Sequence, residues 1–158
     1  MITYKVGDLL DVTDGILAHG CNMRGVMGSG VARLVQAKYP EAFHQYIKDL
    51  YNYFPLGGVS FWSPLGEDEP TRFLVANCLT QEKMGADGKK YVSYDAVDMS
   101  FQILNKVAEE GSYTIHIPRI GAGLGGGDWG VIEAIINHQC KNVDVIVLAR
   151  GGGSIEDL

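Results

Sequence analysis

Thr114-Ile115-His116-Ile117-Pro118-Arg119-Ile120-Gly121-Ala122-Gly123-Leu124-Gly125-Gly126-Gly127-Asp128-Trp129 is the stretch on which the fold turns. Thr114 to Ile117 is a short apolar run with strand character. From Pro118 to Trp129, five of twelve residues are glycine, with no low-complexity sequence around them. Each glycine adds to the backbone entropy lost on folding. Such a density implies positive φ angles or a close backbone approach. Asp128 suits the N-cap position of a helix predicted from about Trp129 to His138. A strand that leads through a glycine loop into a helix presents unpaired N–H groups and the positive end of the helix dipole. That combination is an anion site.

A second stretch has the same build: His19-Gly20-Cys21-Asn22-Met23-Arg24-Gly25-Val26-Met27-Gly28-Ser29-Gly30-Val31-Ala32. It leaves the apolar run Gly15 to Gly20 and enters a predicted helix, Val31 to Lys38, with Val31, Leu34, Val35 and Tyr39 on one face. No Gly-Lys-Ser/Thr closes it, and its glycine spacing is not the dinucleotide fingerprint. One glycine loop of this kind can be a structural turn. Two at strand C-terminal ends can face each other across the crevice where open α/β sheets take ligands. Together they suggest a diphosphate, or a phosphate plus a sugar.

The rest of the chain fits around these loops. Ile2 to Val6 alternates like a strand, and Leu9 to Val12 reads as a bent extension or a short turn. Pro40 breaks the first helix, and Glu41 to Tyr51 forms a second. Gly58 to Ser63 and Phe73 to Leu79 read as strands around a polar turn, Gly66 to Pro70. Glu82 to Lys90 is a loop. Ser93 to Glu110 is a helix with Val97, Phe101, Leu104 and Val107 in a stripe, and Val143 to Leu148 is a last strand. Alternating strands and helices predict an α/β fold with a mostly parallel sheet covered on both faces.

The 158 residues fit one domain, 1–158, at 46% hydrophobic and 20% charged. A formal net charge of −6 gives no long-range attraction to nucleic acid. It leaves open a small anion held by backbone N–H groups. Cys21, Cys78 and Cys140 are dispersed, which suggests neither a disulfide framework nor a zinc site. His19, His44, His116 and His138 lack HExxH spacing, so no metal and no cofactor is expected. No signal-peptide layout opens the chain and no apolar run reaches membrane-spanning length. A cytoplasmic monomer that does not engage membranes is the expectation.

Gly7-Asp8-Leu9, the His19 to Ala32 loop with Asn22, and Pro118-Arg119-Ile120-Gly121-Ala122-Gly123-Leu124, in this order and spacing, resemble the macrodomain family over nearly the whole chain. The resemblance is greatest to the branch of ADP-ribose 1″-phosphate phosphatases and terminal ADP-ribose–protein hydrolases. It implies a three-layer α/β/α sandwich with a mixed, mostly parallel central sheet, and ADP-ribose or ADP-ribose 1″-phosphate as ligand. It places adenine at Asp8 with the Leu9 backbone, and the distal ribose at Asn22. The phosphates would lie between Gly28, Ser29, Gly30, Val31 on one side and Ile120, Gly121, Ala122, Gly123, Leu124 on the other. His19 would face the distal ribose as ligand contact and as general base or orienter of water, the alternative being a structural histidine that ends a buried strand. Asn22 would orient a hydroxyl or water, and Asp128 would help position water or simply cap its helix.

One hydrolase type in this branch uses a lysine nucleophile after the middle strand and an aspartate in the second glycine loop. Gln81 and Gly125 stand at the equivalent places here, which speaks against lysine-adduct chemistry, with nearby Lys83 as the alternative alignment. The reading favoured is hydrolysis of ADP-ribose 1″-phosphate to ADP-ribose and phosphate. The alternatives are release of ADP-ribose from modified protein or nucleic acid, and non-catalytic reading of ADP-ribose. Nucleic acid enters only as an ADP-ribosylated substrate.

Overall fold

The computed structural model describes residues 1–64, 72–85 and 87–149. The turn expected at 66–70 lies outside them. The strands are β1 (Ile2–Val6), β2 (Gly15–Asn22), β3 (Val59–Trp62), β4 (Phe73–Gln81), β5 (Ile115–Ile117) and β6 (Val145–Ala149). The helices are α1 (Gly30–Lys38), α2 (Pro40–Tyr51), α3 (Tyr94–Gly111) and α4 (Trp129–Gln139). Leu9–Asp11 is a 3-10 turn capped by Asp8, whose carboxylate accepts from the Leu10 N–H at 2.9 Å. This settles the segment read from sequence as either a strand extension or a turn. Pro40 opens α2 at its first turn, where its missing N–H is not needed.

The strands form one sheet in the order β1-β6-β5-β2-β4-β3. All neighbours are parallel except β3, which runs antiparallel to β4. The fold is therefore the mixed α/β sandwich expected. β2 is buried along its length except at Gly20, which explains its continuous apolar run: a central parallel strand is covered on both faces. Its side chains alternate. Ile16 and Ala18 join the core under α3 and α4, with Val97, Phe101, Leu104, Ile132 and Ile136. Leu17 packs with Val35 of α1 and Ala42 of α2, and Cys21 packs with Tyr46 of α2.

This layering puts the C-terminal ends of five parallel strands on one edge. The glycine segments leave from β2 and β5, Asp8 follows β1, and Gln81 ends β4. Four strand steps separate β1 from β4, about 19 Å at ~4.8 Å per step.

Candidate functional site

A cleft opens along that edge. Its walls are Asn22 with Gly28–Ala32 on one side and Pro118–Gly121 with Gly123–Gly125 on the other; Gly20, Cys21, Thr80 and Gln81 form the β2 and β4 end. Met84 and Gly85 complete the rim. A smaller hollow, lined by Gly7, Asp8, Leu9, Leu10, Leu34 and Leu148, adjoins it through Val31 and Pro118, which line both.

The first wall is the N-terminus of α1. Its N-cap, Ser29, makes no side-chain capping bond. Among the described residues, the amides from Gly28 to Ala32 have no protein acceptor. The dipole end of a nine-residue helix thus faces the cleft unsatisfied. The contrast with α4 is informative. There Asp128 accepts from the Gly130 and Val131 amides at 2.7 and 3.3 Å, so that helix terminus is already closed.

The second wall is held from behind. The Gly125 carbonyl accepts from the Tyr91 and Val92 amides at 2.7 and 3.0 Å, and the Gly127 amide donates to the Gly121 carbonyl at 2.8 Å. Gly121 and Gly126 adopt φ of +79° and +71°. A Cβ at Gly121 would press on Val92 at 2.8 Å, and one at Gly126 would strike the Lys89 carbonyl. Only glycine suits both positions. Folded this way, the loop leaves the amides of Gly121, Gly123, Leu124 and Gly125 without acceptors among the described residues.

The predicted site residues fall into three groups. Asn22, Gly28, Ser29, Gly30, Val31, Ile120, Gly121, Gly123 and Leu124 come together in the cleft. Asp8 and Leu9 lie in the adjoining hollow. Ala122, His19 and Asp128 are elsewhere. Ala122 packs against the α3/α4 core, and its amide donates to the Arg119 carbonyl at 3.1 Å. Asp128 serves as a helix cap outside the cleft and lines a shallow surface groove with Asp98 and His138.

His19 is sealed in the interior at 0% exposure. Strand alternation turns it toward α2, three residues short of the strand end. Asn77 donates its amide to the Ala42 carbonyl at 3.2 Å, leaving Oδ1 to accept from His19 Nε2 at 2.6 Å. His19 is therefore a neutral ring with its proton on Nε2. Burial pushes its pKa down to about 4, against the opposing effect of the Asn77 bond. The expectation that it faces a sugar as general base does not fit this placement.

Asn22 is 7% exposed and largely committed to the protein. Its Oδ1 accepts from the Arg24 amide at 2.9 Å and its Nδ2 donates to the Val26 carbonyl at 2.9 Å, while the Tyr46 hydroxyl donates to its backbone carbonyl at 2.7 Å with Oδ1 a longer second acceptor at 3.0 Å. Its remaining contact, Nδ2 to Met84 Sδ at 3.5 Å, is weak. Asn22 thus shapes the first glycine loop and has one donor to offer. The ionisable lining residues are Cys21, whose thiol burial pushes well up and keeps neutral, and Arg119. Sequence reading overlooked Thr80, Met84 and Gly85. The available signal was a strand whose apolar run ends in the polar pair Thr80-Gln81 at the loop-bearing edge.

Among the described residues, no three or more His, Cys, Asp or Glu side chains gather as a metal site would require. No helix among them is long and apolar enough to cross a membrane. The sequence model of the Macro domain family matches residues 18–136. The chain belongs to the macro domain family. It is similar to the DNA ADP-ribosyl glycohydrolase of Mycobacterium bovis, 29% identical over 98% of this chain and 44% of that protein. The chain thus spans under half the length of that relative. It is 28% identical to the ADP-ribose 1″-phosphate phosphatase of Lodderomyces elongisporus, over 77% of this macro domain chain and 79% of the phosphatase. The macrodomain of Mycobacterium tuberculosis DarG superposes with a TM-score of 0.76 at 25% identity, covering 96% of this chain and 99% of its own. Thermosipho africanus DarTG in complex with ADP-ribose superposes at 0.78 and 16% identity over 97% of this chain and 42% of its own, a likeness of fold.

Proposed function

We propose that this macro domain binds ADP-ribose across its strand ends and hydrolyses ADP-ribose 1″-phosphate to ADP-ribose and phosphate. The observation that carries this reading is the pair of opposed walls with unsatisfied amides, one the open N-terminus of α1 and the other the Gly121–Gly125 turn. Between them a diphosphate can be held without a basic side chain. The hollow at Asp8 and Leu9 suits the adenine, and the β4 end the second ribose. The resemblance to the fungal phosphatase supports the reaction.

His19 and Asp128 lie outside the cleft, so the chemistry rests on alignment of a water with the phosphorus and on amides that meet charge developing on the phosphoryl oxygens. Water forms the new P–O bond, the bond to the 1″ oxygen breaks, and the proton passes to that oxygen. The substrate's own phosphate, with a second pKa near ~6, is the group able to accept the water's proton in transit.

Removal of ADP-ribose from a nucleic acid is the second reading. Segments 22–33 and 81–92 carry Arg24, Arg33, Lys83, Lys89 and Lys90 against Glu82 and Asp87, five cations to two carboxylates in a chain of net charge −6. A locally positive border suits a phosphate backbone attached to the ADP-ribosyl group. Gln81 and Gly125 lie side by side, the Gly125 Cβ position 3.2 Å from Gln81 Oε1, so this reading does not use a lysine–aspartate pair there.

Titration calorimetry with ADP-ribose is expected to give micromolar binding, about −8 kcal/mol. Phosphate release from ADP-ribose 1″-phosphate then tests turnover. No heat with ADP-ribose removes the whole reading. Binding without release of phosphate, or of ADP-ribose from a modified oligonucleotide, makes the protein a reader.

A further inference from the structure

β1 is an end strand of the sheet, paired only with β6 among the described residues. The Met1 carbonyl accepts from the Val145 amide and the Gly7 amide donates to the Ala149 carbonyl, both at 2.9 Å. Successive residues of a strand direct their main-chain groups to opposite sides. Met1, Thr3, Lys5 and Gly7 therefore face β6, and Ile2, Tyr4 and Val6 turn their N–H and C=O groups outward. At the other end of the sheet, Val59 and Ser60 of β3 are buried. In β1 every residue from Thr3 to Val6 is exposed, Val6 by 79%. Shortness, proline or several charges usually protect such an edge. Within β1, Lys5 is the one charged side chain.

The residues that bond outward are also the apolar ones. Ile2 packs against the core under α3 and α4. Tyr4 lies on the same side: its hydroxyl donates to Glu133 of α4 and accepts from Trp129 Nε1 at 2.8 Å, and the Arg119 guanidinium stands 5.9 Å from its ring centre. A half-exposed ring already fixed by three neighbours loses little freedom on association. Tyr4 is the middle residue of the five. Turned about a two-fold axis at Tyr4, a second β1 runs antiparallel, with Tyr4 against Tyr4 and Ile2 against Val6 on either side. Each of these three pairs exchanges two N–H···O=C bonds, six in all, because all their main-chain groups face the partner. Thr3 falls opposite Lys5, so no like charges stand directly across from each other.

We propose that this chain forms a two-fold homodimer through the β1 edge, which joins the two sheets into one. The occupant is a second copy of the chain because the strand is complementary to itself in register, in apolar side and in charge at once, as an isologous interface requires. The sequence expectation of a monomer is silent on strand order. Antiparallel pairing points the strand C-termini of the two copies in opposite directions, so both clefts stay open. The dimer is independent of what the cleft binds.

Sedimentation equilibrium of the 158-residue chain over a concentration series should show a monomer–dimer equilibrium. Val6→Pro removes one outward N–H from each copy and leaves the ladder to β6 alone, a place where an edge strand tolerates proline. It should weaken dimerisation roughly ten- to hundredfold, two hydrogen bonds at three- to tenfold each. Val6→Ala keeps the N–H and should stay closer to wild type. Amide hydrogen exchange in the wild type gives a residue-level readout that needs no variant. Protection of Tyr4 and Val6 should rise with protein concentration, while that of Thr3, Lys5 and Gly7 should not depend on it. A wild type that stays monomeric up to about 1 mM, a dimer equally tight in Val6→Pro, or a dimer without the alternating protection would each overturn the proposal.

Discussion

Acid should unfold this protein through His19. The ring is neutral, fully buried and bonded through Nε2 to Asn77. Among the described residues its Nδ1 has only the Cys21 sulfur, at 3.8 Å. A proton on Nδ1 would bring a charge into the interior with no acceptor to meet it. The folded pKa is accordingly near 4 against an ordinary 6.5. Between those values the unfolded chain binds the proton and the folded chain does not, so stability falls as pH drops. It is whole above about pH 6.5 and the contribution is gone by about pH 4. The drop from 6.5 to about 4, at ~1.36 kcal/mol per pH unit, is worth roughly 3 kcal/mol in all. Roughly 2 kcal/mol of that is lost between pH 7 and 5. Urea denaturation at a series of pH values would read it, with His19→Gln as reference, since glutamine can still donate to Asn77 Oδ1. The wild-type curve should fall more steeply with acid than the variant's by that amount. Parallel curves would refute the argument and return His19 to an accessible, titrating position.

Three further outcomes are expected. Gly123→Glu should abolish ADP-ribose binding by calorimetry with little change in the far-ultraviolet circular dichroism, because its carboxylate would occupy and repel the phosphate position. Asp8→Ala should weaken ADP-ribose by roughly 1–3 kcal/mol and leave ribose 5-phosphate unaffected; equal losses would indicate damage to the 3-10 turn that Asp8 caps. Asp128→Ala should lower stability by about 1 kcal/mol, the worth of an N-cap, with phosphate release per folded molecule unchanged; a loss of turnover without a loss of stability would restore its catalytic role.

The elements were legible because their signals are local. Glycine loops between an apolar run and an amphipathic helix located both cleft walls, and Asp128 announced its helix. The direction of a side chain within a strand was not legible for His19. Sequence proximity to the glycine loop suggested the cleft, but strand alternation and α2 above it decided otherwise. Asn22 shows the same limit. Its type and place suggested a ligand contact, whereas the Arg24 amide takes its Oδ1 and Tyr46, 24 residues away, holds its backbone carbonyl. Thr80 carried no motif, and among the described residues its buried hydroxyl, beside Gly20, has no hydrogen-bond partner. Long-range pairings of this kind depend on which strands become neighbours, and β2 meets β4 across more than fifty residues of chain.

The two walls proposed to hold the phosphates present main-chain N–H groups, and these have no titration. Their polarity is the same at every pH at which the chain is folded. Changes of affinity with acidity should therefore follow the ligand's own phosphates, protonated near ~6 for a monoester, and leave a diphosphate nearly indifferent. The same construction makes ligand recognition independent of the protein's overall sign. Substitutions that add or remove surface charge far from the cleft can shift solubility and encounter rates while the grip on the bound anion stays as it was.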